Sequence, residues 1–139
     1  MTDPLSQSLR IAASGLQAQS LRLRVVSENL ANSESAGSTP GSDPYRRRSV
    51  VFGAELDRLS GAEIVDVEKV VADPSAFRSE FQPGHPAADA NGYVKMPNVN
   101  PIIELADMKQ ANRSYEANLQ VIRQTRDMLA MTIDLLRGQ

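Results

Sequence analysis

Two heptad patterns, one at each end of the chain, constrain this sequence more than any other feature. In residues 4–32, Leu9, Leu16, Leu23 and Leu30 recur every seven positions, and Leu5, Ala12, Gln19 and Val26 fill the complementary steps. A helix turning every 3.6 residues gathers all eight on one stripe. The C-terminal pattern is longer. Met108, Tyr115, Ile122, Leu129 and Leu136 hold one heptad position, with Leu105, Asn112, Leu119, Arg126 and Ile133 at the other. Punctuation agrees with period. Asp3 and Pro4 open the first segment, and Asn32, Ser33, Ser35, Gly37 and Pro40 close it. Asn100 and Pro101 open the last segment, Glu104 and Asp107 lie toward the positive end of its dipole, and Gly138 follows Arg137 at its end. The spacing predicts helices of about 43 Å and about 55 Å.

The intervening residues 34–100 carry a different rhythm. Pro40, Gly41, Asp43 and Pro44 mark a loop, and residues 49–56 and 64–72 are strand candidates rich in Val. Turn pairs are frequent: Asp73-Pro74, Pro83-Gly84, His85-Pro86 and Asn91-Gly92. Phe77 and Phe81 can anchor a short extended piece between them. The expected fold is α+β, with long terminal helices (1–33 and 101–139) packed as an antiparallel coiled-coil-like hairpin. A small β-rich middle domain (34–100) is expected between them.

Composition limits what such a chain can bury. Three Phe, three Tyr and no Trp make a thin aromatic core, and the absence of Cys excludes a disulfide-stapled fold. A net charge of -2 gives no general attraction for nucleic acid. The N-terminal apolar positions are interrupted by Ser, Gln, Asp and Arg, so a conventional cleaved signal peptide is not expected. Nor is a transmembrane segment, because nowhere do 18 apolar residues run together.

Each helix has more apolar surface than one partner covers. Ile11, Ala13, Leu21 and Val25 in the first helix, and Ile102, Ala111, Val121 and Met131 in the last, lie off the seams and would stay exposed on a lone hairpin. Isolated helices are marginal in water, and burial of one large apolar side chain contributes about 1.5–3 kcal/mol. Neighbours on more than one side are therefore expected. A complete bundle within one chain is the simpler alternative, but residues 34–100 supply no third helix. Asn112 and Arg126 within the last seam could fix register, or lie at a solvated flank.

Candidate chemistry is sparse. His85 is the sole histidine, and with Asp89 it could begin a metal site, yet it sits in a Pro/Gly turn with no second His or Cys. Asp66 and Glu68 share one face of a strand, which fits a solvated surface better than an acid–base pair. Ser14-Gly15 and Ser60-Gly61 lack the nucleophile-elbow frame, and no phosphate-cradling glycine loop is present. No cofactor and no catalysis are expected. Arg46, Arg47 and Arg48 form the one dense basic cluster, read as a partner-protein contact or an intramolecular salt bridge rather than a nucleic-acid site.

Ser14-Gly15-Leu16-Gln17-Ala18-Gln19 and the run from Arg22 to Asn32, Arg-Leu-Arg-Val-Val-Ser-Glu-Asn-Leu-Ala-Asn, resemble the signature of the flagellar rod and hook axial proteins. Ser35 stands where that family carries Thr. Pro44-Tyr45-Arg46-Arg47, Asp73-Pro74-Ser75-Ala76-Phe77-Arg78, Pro83-Gly84-His85-Pro86-Ala87-Ala88-Asp89, Gly92-Tyr93-Val94 and Met96-Pro97-Asn98-Val99-Asn100 narrow the resemblance to the proximal-rod subunits. Glu104-Leu105 replaces the usual Glu-Met at conserved volume, and Ala111-Asn112-Arg113-Ser114-Tyr115-Glu116-Ala117-Asn118 completes the pattern.

The resemblance implies a non-enzymatic subunit exported by the flagellar type III apparatus and assembled in the periplasmic space into a hollow helical rod. It implies self-association, with the other rod subunits and the basal-body adaptor protein as partners. The expected assembly interface is Leu9, Leu16, Leu23, Val26 and Leu30 with Met108, Tyr115, Leu119, Ile122, Leu129, Ile133 and Leu136. Arg46, Arg47 and Arg48 are candidate partner contacts. The alternative is a helical-hairpin adaptor or export-associated binding module that forms a finite complex.

Overall fold

The computed structural model describes residues 4–57 and 61–138. Helix α1 spans Pro4–Ala31, strands β1 and β2 span Arg48–Leu56 and Glu63–Ala72, β3 and β4 span Arg78–Phe81 and Tyr93–Met96, and helix α2 spans Pro101–Arg137. The α+β architecture follows the sequence expectation. The proposed cap Asp3 lies outside the described residues. At the other helix, the Asn100 side chain accepts from the Ile102 N–H at 3.0 Å, Pro101 occupies the first turn, and the Gly138 N–H donates to the Asp134 carbonyl.

The helices pack antiparallel, with Asn29 hydrogen-bonded to Glu104 at one end and Gly15 against Asn118 farther along. On α1 the buried positions are Ala12, Gly15, Ala18, Val25, Val26 and Asn29. The first heptad stripe is buried or half-buried throughout. On α2 the seam is turned by one residue from the expected one. Met108, Tyr115, Ile122 and Leu129 are half-buried, but Glu104, Ala111 and Thr125 are buried while Leu105, Asn112, Arg126 and Ile133 are exposed. Two causes combine: Asn29 and Arg47 bind the Glu104 side chain on the inner side of α2, and the small Ala111 and Thr125 fill the seam without the bulk of Leu or Arg. Arg22 pairs with Asp107 across the same crossing, its Nε donating at 3.2 Å.

There are two separate antiparallel ribbons, and the first of them packs on α1. β1 and β2 pair from Arg48↔Ala72 to Leu56↔Glu63, with an irregularity between Val51 and Phe52. The ribbon lies along α1: Asn29 bonds the Arg48 backbone, the Val65 N–H donates to Ser14 Oγ at 3.2 Å, and Arg10 forms an ion pair with Asp57. It thereby helps cover Val25, which the sequence placed on an open flank. Ala111, likewise expected outside, is buried in the helix seam. Ile11, Ala13, Ile102, Val121 and Met131 are exposed and Leu21 is half-buried.

The extended piece between Phe77 and Phe81 is β3, and its partner β4 was not anticipated. Val94 and Met96 from β4 pack with Ala87, Ala36 and Ala88 in a small core. Phe81 and Tyr93 meet edge to face at 5.4 Å on the opposite, exposed face. Gly92, the last residue of the 82–92 connection between them, has φ +83°, a conformation that L side chains resist.

A Cβ on Gly15 would lie 2.8 Å from the Asn118 amide. Gly15→Ala alone therefore sets the helix-propensity gain of about 0.5–1 kcal/mol against displacement of Asn118. In an Asn118→Ala background the same change is expected to stabilise by the full amount. Denaturant unfolding of the four members of this cycle measures the non-additivity.

Candidate assembly interface

A buried polar clasp fixes how the helices meet the middle segment. Asn29 is fully buried and all four of its side-chain hydrogen-bonding positions are used. Its Nδ2 donates to the Arg48 carbonyl at 2.7 Å and to Glu104 Oε2 at 3.0 Å, while its Oδ1 accepts from the Arg48 N–H and the Tyr45 hydroxyl, both at 2.9 Å. Glu104, also fully buried, accepts from Arg47 Nε at 2.6 Å. The Arg47 N–H donates to Asn98 Oδ1 at 2.8 Å, and Asn98 Nδ2 reaches the Asp73 and Ser75 carbonyls and Ser75 Oγ. Five stretches of chain meet there: the end of α1, the approach to β1, the exit of β2, the exit of β4 and the first turn of α2.

The electrostatics suit this closure. Burial opposes the Arg47 charge, but its hydrogen bond to Glu104, the Glu104 charge and Asp73 outweigh it and raise the guanidinium above its ordinary value. Burial likewise pushes the Tyr45 phenol up, against the pull of Arg48. The Ser75 backbone N–H and hydroxyl, with Arg47 behind them, hold Asp73 below the usual carboxylate range. Glu104, which looked from sequence like a charge complementing the helix dipole, is the buried end of an ion pair. Neither it nor Asn29 interrupts the apolar period, so periodicity gave no sign of the clasp.

The arginine cluster divides its work. Arg46 donates to the Asp73 and Ser75 carbonyls and stacks 4.1 Å over Phe77, and Arg47 belongs to the clasp. Arg48 faces Glu28 at 3.7 Å with 55% of its side chain exposed, so it has the most surface left for a partner. Intramolecular salt bridges form at Arg47, with Glu104 and Asp73, and at Arg48, with Glu28. His85 accepts from the Ala87 N–H within its own turn, and Asp66 and Glu68 are exposed on β2. Among the described residues no group of three acidic or histidine side chains converges as a metal site requires, and no helix is long and apolar enough to cross a membrane.

The residues expected to meet neighbours fall into two sets. Leu9, Leu16, Leu23, Val26, Leu30, Met108, Tyr115, Leu119, Ile122 and Leu129 are half-buried or buried within the chain. Ile133 and Leu136 are open, at 50% and 76% exposure. The register set by Asn29–Glu104 and Gly15–Asn118 carries Pro4 to about residue 129 of α2. Beyond it, Met131, Ile133, Leu135 and Leu136 ring a helix end on which no other described residue packs closely, at 50–76% exposure.

Glu104→Ala is expected to cost about 3 kcal/mol, because Arg47 and Asn29 lose a buried partner; thermal or urea unfolding measures it. Asp73 gives the clasp a pH dependence. Its folded pKa is depressed, so its contribution is complete above its ordinary value of about 4 and disappears as pH falls through the lower folded value. Asp73→Asn is expected to flatten that part of the acid limb in unfolding free energies taken from about pH 6 down to about pH 2.

Comparison with known sequences places this arrangement. The family described as flagella basal body rod protein matches residues 9–37, and the one described as flagellar basal body rod FlgEFG protein C-terminal matches residues 90–135. The chain is 64% identical over 136 residues to the flagellar basal-body rod protein FlgC of Agrobacterium fabrum, covering 98% of each chain. It is 42% identical to the FlgC of Yersinia enterocolitica over 125 residues, 90% of this chain and 92% of the relative. With the FlgC of Borreliella burgdorferi it shares 34% identity over 154 aligned positions, 96% of this chain and 99% of the other. The chain belongs to the FlgC family of flagellar basal-body rod proteins.

Proposed function

We propose that this structural subunit of the flagellar basal-body rod contributes its two terminal helices to the inner wall of a hollow, helically repeated tube. The ribbons of residues 48–72 and 78–96 then form an outer layer around that wall. The observation that carries this reading is the uncovered end of α2, where Met131, Ile133, Leu135 and Leu136 are 50–76% exposed. An isolated helix end with apolar residues on every side is not held in water by its own propensity. A heterologous, repeated interface would cover it in every copy except those at the ends of the assembly.

Half-buried Leu9, Leu16, Leu23, Met108, Tyr115 and Leu119 would complete their burial in the same contacts. Arg48, with its exposed guanidinium, is the member of the arginine cluster best placed to meet a neighbour. Other rod subunits and the basal-body adaptor protein are the partners this reading names. The tube would surround the export channel and carry torque, with the chain delivered through the flagellar type III apparatus to the periplasmic space. The chain is not an enzyme: its family is structural.

Leu136→Asp separates folding from assembly. Its side chain is 76% exposed, so the folded chain is expected to lose less than about 0.5 kcal/mol, while incorporation into basal bodies and swimming are lost. Val26→Asp, at a 3% exposed position, is expected to unfold the chain instead. Circular dichroism with motility assays reads both. A Leu136→Asp strain that swims normally would overturn the proposed interface, and light scattering that finds only a closed, finite complex would favour an adaptor.

A further inference from the structure

A ribbon of two strands has two edges whose outward backbone groups need partners. Along β1 these groups alternate. The Arg47 carbonyl accepts from the Asp73 N–H at 2.8 Å, so Arg48 turns its own N–H and carbonyl away from β2, where Asn29 takes both. Val50 and Phe52 turn theirs the same way, and among the described residues nothing bonds them. The edge of β2 is less regular. Its Val65 N–H goes to Ser14, and Glu68, which has no counterpart between Val51 and Phe52, breaks the even spacing of its outward groups. β1 passes through that register shift without an extra residue.

The open stretch of β1 borders a cleft of about 310 Å³ between the ribbon and the helices. Val25, Val26, Val50 and Phe52 give it an apolar lining. Arg22 and Arg47 also reach it, but Asp107 and Glu104 hold their guanidinium groups. Arg48 has only Glu28, at 3.7 Å, and keeps 55% of its side chain exposed. Free edge, apolar lining and exposed cation together specify an occupant. The edge accepts only an extended backbone, the lining accepts every second side chain of such a strand, and Arg48 selects a carboxylate. We propose that this cleft takes an extended segment of a partner protein, added antiparallel to β1 as a third strand. The segment bonds the backbone of Val50 and Phe52, sets alternate apolar side chains beside them and places an acidic residue at Arg48. Main-chain bonds then supply affinity and the alternate side chains supply specificity. A lone two-stranded ribbon gains stability from a third strand, which favours the same outcome. The contact uses neither helix seam nor the end of α2, and it does not depend on the rod reading.

The probe is a capped peptide, acetyl-Glu-Val-Thr-Val-Thr-Val-Glu-amide, titrated into the full-length protein while amide hydrogen exchange is followed residue by residue. Binding is expected to raise protection at Val50 and Phe52 at least about tenfold. Ser49 and Val51, whose backbone groups face β2, are expected to change little. The same peptide N-methylated at its valines keeps every side chain but loses the donors aimed at β1, and is expected not to bind. Arg48→Glu is expected to weaken the unmodified probe about twofold to fivefold. No binding below about 1 mM, protection without this alternation, equal binding of the methylated peptide, or indifference to Arg48→Glu would each overturn the proposal. Protection of Val50 and Phe52 that grows with protein concentration alone would overturn it in favour of a second copy.

Discussion

The hydrogen bond from Asn29 to Glu104, with Arg47 closing the other carboxylate oxygen, is the interaction on which the arrangement depends. It is the point at which the last turn of one helix meets the first turn of the other. The same asparagine holds the backbone of Arg48, where the long ribbon begins. A buried carboxylate with no partner would be far costlier than a buried methyl group. Both helices and the start of β1 are therefore held to one relative placement. Apolar seams tolerate sliding by a turn more readily than a network in which every donor has one acceptor. The clasp thus supplies register, and the aliphatic seam supplies most of the burial.

That division explains the small residues in the helix pair. Ala12, Gly15 and Ala18 on α1 and Ala111 and Thr125 on α2 let the backbones approach closely. The larger aliphatic side chains stand to either side of the contact line, half-covered. A monomer built for its own stability would place Leu and Ile at the centre. Here the centre is thin and the flanks are rich, which suits a chain whose burial is completed by others.

Much of this was legible in the sequence. The limits of α2 followed from caps and period, those of α1 from period and its closing turn residues, and β1 and β2 from alternation between turn signals, because these are local properties of a few adjacent residues. The facing of α2 was not. Leu105 and Ile133 carry the hydrophobic signal that Glu104 and Ala111 lack, yet the latter are buried, Glu104 because Asn29 and Arg47 bind it and Ala111 because it is small enough for the helix seam. The roles of Arg46 and Arg47 were equally hidden, since their partners at Asp73, Ser75, Phe77 and Glu104 lie far along the chain. The pairing of β3 with β4 joins segments separated by a long turn-rich loop, for which no short hairpin signal exists. Of the candidate interface, the open residues at the end of α2 are those where period and exposure agree.

The long ribbon is fastened to α1 at two places, by Asn29 at its root and by Ser14 and Arg10 toward its far end. In mechanical terms α1 is a braced beam, with a second member running parallel to it and fixed near both ends. Bracing of this kind raises bending stiffness across the braced length and leaves compliance to whatever projects past it. The projecting part is the end of α2, which has neither ribbon nor partner helix among the described residues. Under a twisting load the molecule would therefore behave as a stiff shank with one yielding tip.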